Sequence, residues 1–376
     1  MECAMIVRLA DNIISPLGSS SEGNFRSVRE GLSALRRYDN HWGLPEPFVG
    51  SLFEDIALEE ECTPFESLAI QSVRQAVAQS SVDLSSPRTM LILSTTKGNI
   101  SLLDDCEMPN IPRERVLLGV AAQRIADVLG ITTSPLVVSN ACISGVCAQI
   151  AAMRLLKAHA CDVAIVCGCD VQSKFIVSGF QSFKALSEEP CRPFDASRSG
   201  LNLGEAAATI VYTLTDSAQD DDWVIDCGAI RNDANHISGP SRTGEGSYRA
   251  LRAVSSHIDA SSLAFINVHG TATPYNDEME SIALDRALLA QVPINGLKGY
   301  YGHTMGAAGV LETIISMRAV DDGVVLPTKG YSSLGVSRNI NVSSRLRTTA
   351  ARSFVKLLSG FGGCNAALLM TKGGLK

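Results

Sequence analysis

The sequence predicts an α/β layered fold in two halves, and three observations carry that expectation. Short apolar runs of strand length alternate with segments of helical periodicity. A polar acidic stretch at 215–222, containing Asp220-Asp221-Asp222, interrupts the alternation and reads as a surface connection. Beyond it the alternation resumes.

Taken in chain order, 91–94, 136–139, 163–167 and 206–212 read as buried strands, because each is a short apolar run. Between them, 67–78, 120–129 and 146–159 carry helical patterns. After the acidic break, 264–268 reads as a strand, and 278–289 and 307–319 as helices. The simplest organisation is two α/β halves of unequal length, 1–216 and 217–376. No short tandem repeat or low-complexity tract is present.

Composition narrows the function classes. Hydrophobic residues make up 45% of the 376 and charged residues 19%, enough to bury a large core. The net charge of -7 argues against a nucleic-acid partner, which leaves a basic footprint. The 11 cysteines are odd in number and include no C-x-x-C pair, only the close pair Cys167 and Cys169. Reduced thiols in the cytoplasm are therefore expected rather than a secreted disulfide framework. Glu2, Arg8 and Asp11 interrupt the N-terminus, so no signal peptide is expected. The stretch 128–153 is free of charge and long enough to raise a membrane span. Pro135, Asn140, Gln149 and the breakers Gly130 and Gly145 interrupt it, and it reads instead as a buried strand followed by a buried helix.

Three places carry chemistry. In Ser139-Asn-Ala-Cys-Ile-Ser-Gly145 a strand ends, a turn of small residues follows and an apolar helix begins. Cys142 would sit near that helix N-terminus, where free N–H groups and the helix dipole favour a thiolate. A thiolate can hold an acyl group as a thioester. From this segment alone, Cys142 is equally one more small buried residue. In Asn267-Val-His-Gly-Thr-Ala-Thr-Pro274, His269 follows an apolar strand. In Lys298-Gly-Tyr-Tyr-Gly-His-Thr-Met-Gly-Ala-Ala-Gly309, His303 precedes a run that permits close helix packing. Either histidine alone is more often structural; together with Cys142 they suggest one site.

With these motifs the sequence resembles the β-ketoacyl synthases of the thiolase superfamily, specifically the elongating type with a Cys-His-His site. The resemblance covers nearly the whole chain. It runs from Ile14-Ser-Pro-Leu-Gly18 through the Cys142 segment to Arg192-Pro-Phe-Asp195, Arg198, Gly200 and Gly204-Glu205. It continues through His269-Gly-Thr-Ala-Thr-Pro274 and Lys298 with His303 to Gly360-Phe-Gly-Gly363 with Asn365. It implies a thiolase-like fold whose two related halves stack as α-β-α-β-α layers.

The resemblance also implies roles. Cys142 accepts the acyl group, and the backbone N–H groups of Cys142 and Phe361 form an oxyanion hole. His269 and His303, as neutral donors, stabilise the enolate left when malonyl loses carbon dioxide, at about 3–4 kcal/mol per donor. Lys298 orients the histidines, and Glu312 supports that network. Thr271 and Thr273 hold a pantetheine arm; the bland reading is that they cap the next helix. Phe361 gates the acyl pocket. Ser94-Thr-Thr-Lys-Gly98 matches a loop lining that pocket, with Lys97 where an apolar residue is usual; the bland reading is a solvent-facing lysine. Arg192, Asp195 and Arg198 read as scaffold. Glu59, Glu60 and Glu61 stand where the family tends to be basic.

No cofactor is implied, since the substrate brings its own phosphopantetheine. The implied partners are an acyl carrier protein and a second copy of the chain, or a chain-length factor in a heterodimer. Two other readings exist. A thiolase-type acyltransferase would use a second cysteine, and Cys364 is a candidate. Zinc suits Cys142, His269 and His303 as ligand types, but no close ligand pair accompanies them and no metal is expected.

Overall fold

A computed structural model describes residues 4–104 and 110–375, which leaves Glu2, Cys3 and Cys106 outside the described residues. Its main sheet has ten strands. In spatial order they are Ile294–Asn295, Leu263–Asn267, Ser353–Gly360, Cys364–Lys372, Trp223–Asn232, Met5–Ile14, Ala206–Thr215, Val163–Asp170, Thr89–Ser94 and Leu136–Val138.

The order is one five-strand pattern used twice. From Met5–Ile14 outward the pairings run antiparallel, antiparallel, parallel, parallel. From Trp223–Asn232 outward in the other direction they run the same way. The two runs join where Ile6 pairs with Ile225 and Val7 with Val224. Strands 206–215 and 223–232 are linked across Met5–Ile14 by the acidic segment, which is largely exposed, as a surface connection requires.

Alternation of side chains across each sheet sorts the core into layers. Ile92, Ala164 and Val166 face inward with Phe354 and Leu358, against the helices Ser144–Lys157 and Ala308–Asp321. Leu91, Leu93, Ile165 and Cys167 face the opposite way, against Pro64–Val77 and Leu118–Leu129. Val355, Leu357 and Ile266 do the same in the other half, against Glu245–Ser255 and Pro274–Arg286. The stack is helix, one five-strand half of the sheet, the helix pair, the other half of the sheet, helix, which is the thiolase-like architecture.

The two middle helices cross at glycine. A Cβ on Gly309 would stand 2.5 Å from the Val146 nitrogen, and one on Gly145 would stand 2.9 Å from the Gly309 Cα. Gln149, buried at the crossing, donates to the carbonyls of Gly145 and Gly309 at 3.1 and 3.0 Å and accepts from the Tyr212 hydroxyl at 2.8 Å. The charge-free stretch 128–153 thus holds the end of one helix, a strand and most of a middle helix. No helix among the described residues is long and apolar enough to cross a membrane. The helix expected at 278–289 spans Pro274–Arg286 instead, because Pro274 occupies its first turn without needing an N–H partner. The nine described cysteines are free.

Candidate active site

Cys142 lies in the turn between strand Leu136–Val138 and helix Ser144–Lys157. Ala141 before it has φ 45°, a left-handed conformation costly for a residue with a Cβ. Ser144 fixes the turn: its hydroxyl donates to the Ala141 carbonyl at 2.6 Å and accepts from the Asn140 N–H at 2.8 Å. The expectation that the helix end would hold Cys142 as a thiolate needs correcting. Cys142 stands ahead of the N-cap Ile143, outside the helix. Burial pushes its thiol up to about 12, with the Lys298 ammonium acting in the opposite direction.

His303 follows the short helix Lys298–Tyr301 through Gly302, at φ 68°. Its N–H donates to the Asn202 carbonyl at 2.7 Å, and its Nδ1 accepts from the Met305 N–H at 3.1 Å. That contact puts the ring proton on Nε2, which is buried with no partner among the described residues. His269 lies two residues past the strand Leu263–Asn267. Its own N–H and that of Gly270 donate to the two oxygens of Glu280, each at 2.7 Å. The imidazoles meet edge to face, centroids 5.1 Å apart. Ligating atoms of Cys142, His269 and His303 lie within 4.8 Å of one another. Burial first, then the charge of Lys298, holds both imidazoles well below their usual range. They are neutral N–H groups at physiological pH, suited to stabilising an oxyanion. The same ammonium charge repels a dication, so the trio fits acyl chemistry better than zinc.

Behind the histidines, Lys298 Nζ lies 3.0 Å from one oxygen of Glu312 and Lys356 Nζ 2.6 Å from the other, all three side chains buried. Burial works to raise Glu312, but the two ammoniums outweigh it and hold the carboxyl below its usual range. Lys356 was not singled out in the sequence. The signal was there: it is one cation inside the otherwise uncharged strand Ser353–Gly360. Glu280 and Asp277 were also missed. Asp277 accepts from Thr271 and Ala272 at 3.1 and 3.2 Å and fixes the turn after His269.

A cavity of 450 Å³ leads to Cys142 and both histidines. Thr271 and Thr273 line it, with hydroxyls 2.8 Å apart. Thr273 is the residue before helix Pro274–Arg286, yet its side chain makes no capping bond. Phe361 also lines the cavity, on the turn after Gly360, and stacks on Phe180 with centroids 6.0 Å apart. A Cβ on Gly360 would lie 3.2 Å from the Cys142 nitrogen, so the Phe361 turn is packed on the Cys142 backbone. Lys97 is exposed and does not line this cavity. Its loop is tied down by Asp170, which accepts from the Thr95 hydroxyl at 2.7 Å and from the Gly306 N–H at 2.7 Å. Arg198 lies 3.8 Å from Asp277, and Asp195 accepts from Ser332 and Ser333, which places both in the scaffold around the turn. Glu59 pairs with Arg74 at 2.6 Å and Glu61 with Arg124 at 3.6 Å.

The fold is of the thiolase-like class, and its site gathers one thiol and two imidazoles at one cavity. Two family models match: "Beta-ketoacyl synthase, N-terminal domain" over residues 46–217, and "Beta-ketoacyl synthase, C-terminal domain" over 223–332. The chain belongs to the β-ketoacyl synthase family. It is similar to 3-oxoacyl-[acyl-carrier-protein] synthase 2 of Rhizobium meliloti, 30% identical over 62% of this chain and 60% of that one. The enzyme of that name from Coxiella burnetii is 24% identical over 99% of both. In fold it is similar to a β-ketoacyl synthase from Burkholderia phymatum, with TM-score 0.89, 22% identity and coverage of 98% and 100%. It is likewise similar to the ketosynthase ApeO, solved with its chain length factor ApeC, from Xenorhabdus doucetiae, with TM-score 0.85, 22% identity and 98% of each chain covered.

Proposed function

We propose that the protein joins an acyl thioester to malonyl-carrier protein by decarboxylative Claisen condensation, in chain elongation of a fatty acid, polyene or polyketide. The observation that carries this is one thiol and two neutral imidazoles at the end of a single cavity. Cys142 sulfur attacks the acyl carbonyl, the carrier sulfur departs, and the thiol proton passes to it. The oxyanion formed in this step is met by the N–H groups of Cys142 and Phe361. Malonyl then enters. Its C–C bond breaks, carbon dioxide leaves, and the electron pair moves to the thioester oxygen, where His269 and His303 donate. The enolate carbon attacks the Cys142 thioester, the carbon–sulfur bond breaks, Cys142 departs as a thiolate that takes a proton from water, and the β-ketoacyl product leaves on the carrier.

The remaining assignments follow from this reading. Thr271 and Thr273 bind the pantetheine arm from the cavity wall, and Phe361 gates the acyl pocket. Lys298 and Glu312 orient the histidines. Lys97 contributes to the acyl pocket only where a second chain covers its loop. The halves divide at 216/217, a reading supported by the repeated strand order. No free cofactor takes part. The working form is a cytoplasmic homodimer that meets an acyl carrier protein. The ApeO pair favours a second reading, a heterodimer with a chain-length factor, in which this chain, holding Cys142 and both histidines, is the active member.

Cys142→Ala tests the reaction. It should lose the acyl-enzyme seen by intact mass spectrometry and lose condensation, while still releasing carbon dioxide from malonyl-carrier. Condensation at the wild-type rate in this variant excludes Cys142 as nucleophile.

A further inference from the structure

Lys356 lies in the core at 0% exposure, in the middle of a sheet strand, with no role in the reaction as derived above. A buried ammonium is costly unless it is fully paired, and this one is held on several sides. Its Nζ contacts Glu312 at 2.6 Å and donates to Asn267 Oδ1 at 2.6 Å, and to the carbonyls of Leu357, Asn267 and Val268 at 3.1, 3.3 and 3.4 Å. Asn267 and Val268 are the residues immediately before His269. The other Glu312 oxygen holds Lys298, which opens the helix leading to His303. One carboxylate therefore links the two histidine-bearing segments through one lysine each.

We propose that Lys356, resting on the condensation reading above, is a positioning residue of this site: it sets His269 against His303 and leaves one net positive charge behind the imidazoles. Within the Lys298–Glu312–Lys356 cluster two ammoniums and one carboxylate give that charge, where a single Lys-Glu pair would give none; the nearby Glu280, which burial pushes up to about 7, opposes it when ionised. The charge favours a negative oxygen forming in front of the rings and disfavours imidazolium. The charged and titratable groups facing Lys356 are Glu312, Lys298, Glu280 and the two histidines. Burial lowers Lys356 to about 8, partly offset by Glu312, so the charge is present at neutral pH and lost as pH rises through that value.

The test measures carbon dioxide release from malonyl-pantetheine between about pH 6 and 9.5, with near-UV circular dichroism and the urea midpoint reporting that each variant is folded. The wild-type rate should fall on an alkaline limb near 8. Lys356→Met should lower kcat by roughly tenfold or more with little change in KM, and the limb should vanish. Lys356→Arg carries a charge that does not titrate in this range. It should keep more of the rate than Lys356→Met and also lack the limb, and it keeps the idea testable if the methionine variant does not fold. Full rate in Lys356→Met, or a limb that persists in either variant, overturns the proposal. A wild-type protein that releases no carbon dioxide overturns the condensation reading as well, which separates the two failures.

Discussion

His269 and His303 differ in what surrounds them, although both are buried and neutral. His303 is fixed through its ring, by the Met305 N–H on Nδ1. His269 is fixed through its backbone, by Glu280. In the proposed mechanism both present N–H to the same developing oxygen, so their contributions should be shared rather than independent. Replacing either by alanine should leave Cys142 able to take an acyl group while carbon dioxide release falls about 10²- to 10³-fold. The double variant should fall little further. Asparagine in place of His303 should restore part of the rate, because an amide N–H also donates. Equal inactivity of the asparagine and alanine variants would point to proton transfer by the ring instead. At this scale much of the site was legible in the sequence. Cys142 and His269 each follow an apolar strand, His303 precedes a glycine-alanine run, and all three sit among small residues. Lys356, Glu280 and Asp277 were not, since their partners lie on other segments and a single charge in a strand does not name the group that neutralises it.

The middle helices are the elements on which the site depends. Gly309→Ala puts a methyl group within 2.5 Å of the Val146 nitrogen, where the neighbour is backbone and cannot turn aside. The helices must separate, at a cost of about 1–3 kcal/mol, and the turns they carry separate with them. A lower urea midpoint, together with a loss of condensation beyond what the fall in stability explains, is expected. An unchanged midpoint would mean the crossing tolerates a methyl group. Helix Ser144–Lys157 was read from the sequence as 146–159 because most of its residues are apolar or small and buried. Strand Leu136–Val138, expected to be buried, is instead an edge strand with Leu136 exposed and both valines half-buried. Strand Met5–Ile14 was not read from the sequence at all. It carries Arg8, Asp11 and Asn12, and Asp11 is neutralised within the fold by Arg8 and by Arg318 of the helix Ala308–Asp321, at 2.9 Å for the latter. A buried ion pair drawn from remote segments hides the strand's period from any local reading.

At the level of the whole molecule, neither half holds a complete site. The second half carries both histidines, yet the His303 N–H donates to Asn202 and the Gly306 N–H to Asp170, both in the first half. Residues 217–376 expressed alone should therefore release no carbon dioxide from malonyl thioesters, and 1–216 alone should not condense. Decarboxylation at the full rate by 217–376 would show that the first half serves only the thiol. The crossing of the middle helices at Gly145 and Gly309 has one more implication. Cys142 stands in the turn before one helix and His303 in the turn before its counterpart, on either side of an approximate twofold axis. The strand order and the middle helix repeat in the two halves, yet the residues at the matching turns, Cys142 and His303, differ, so a repeated frame carries two unlike side chains to one cavity.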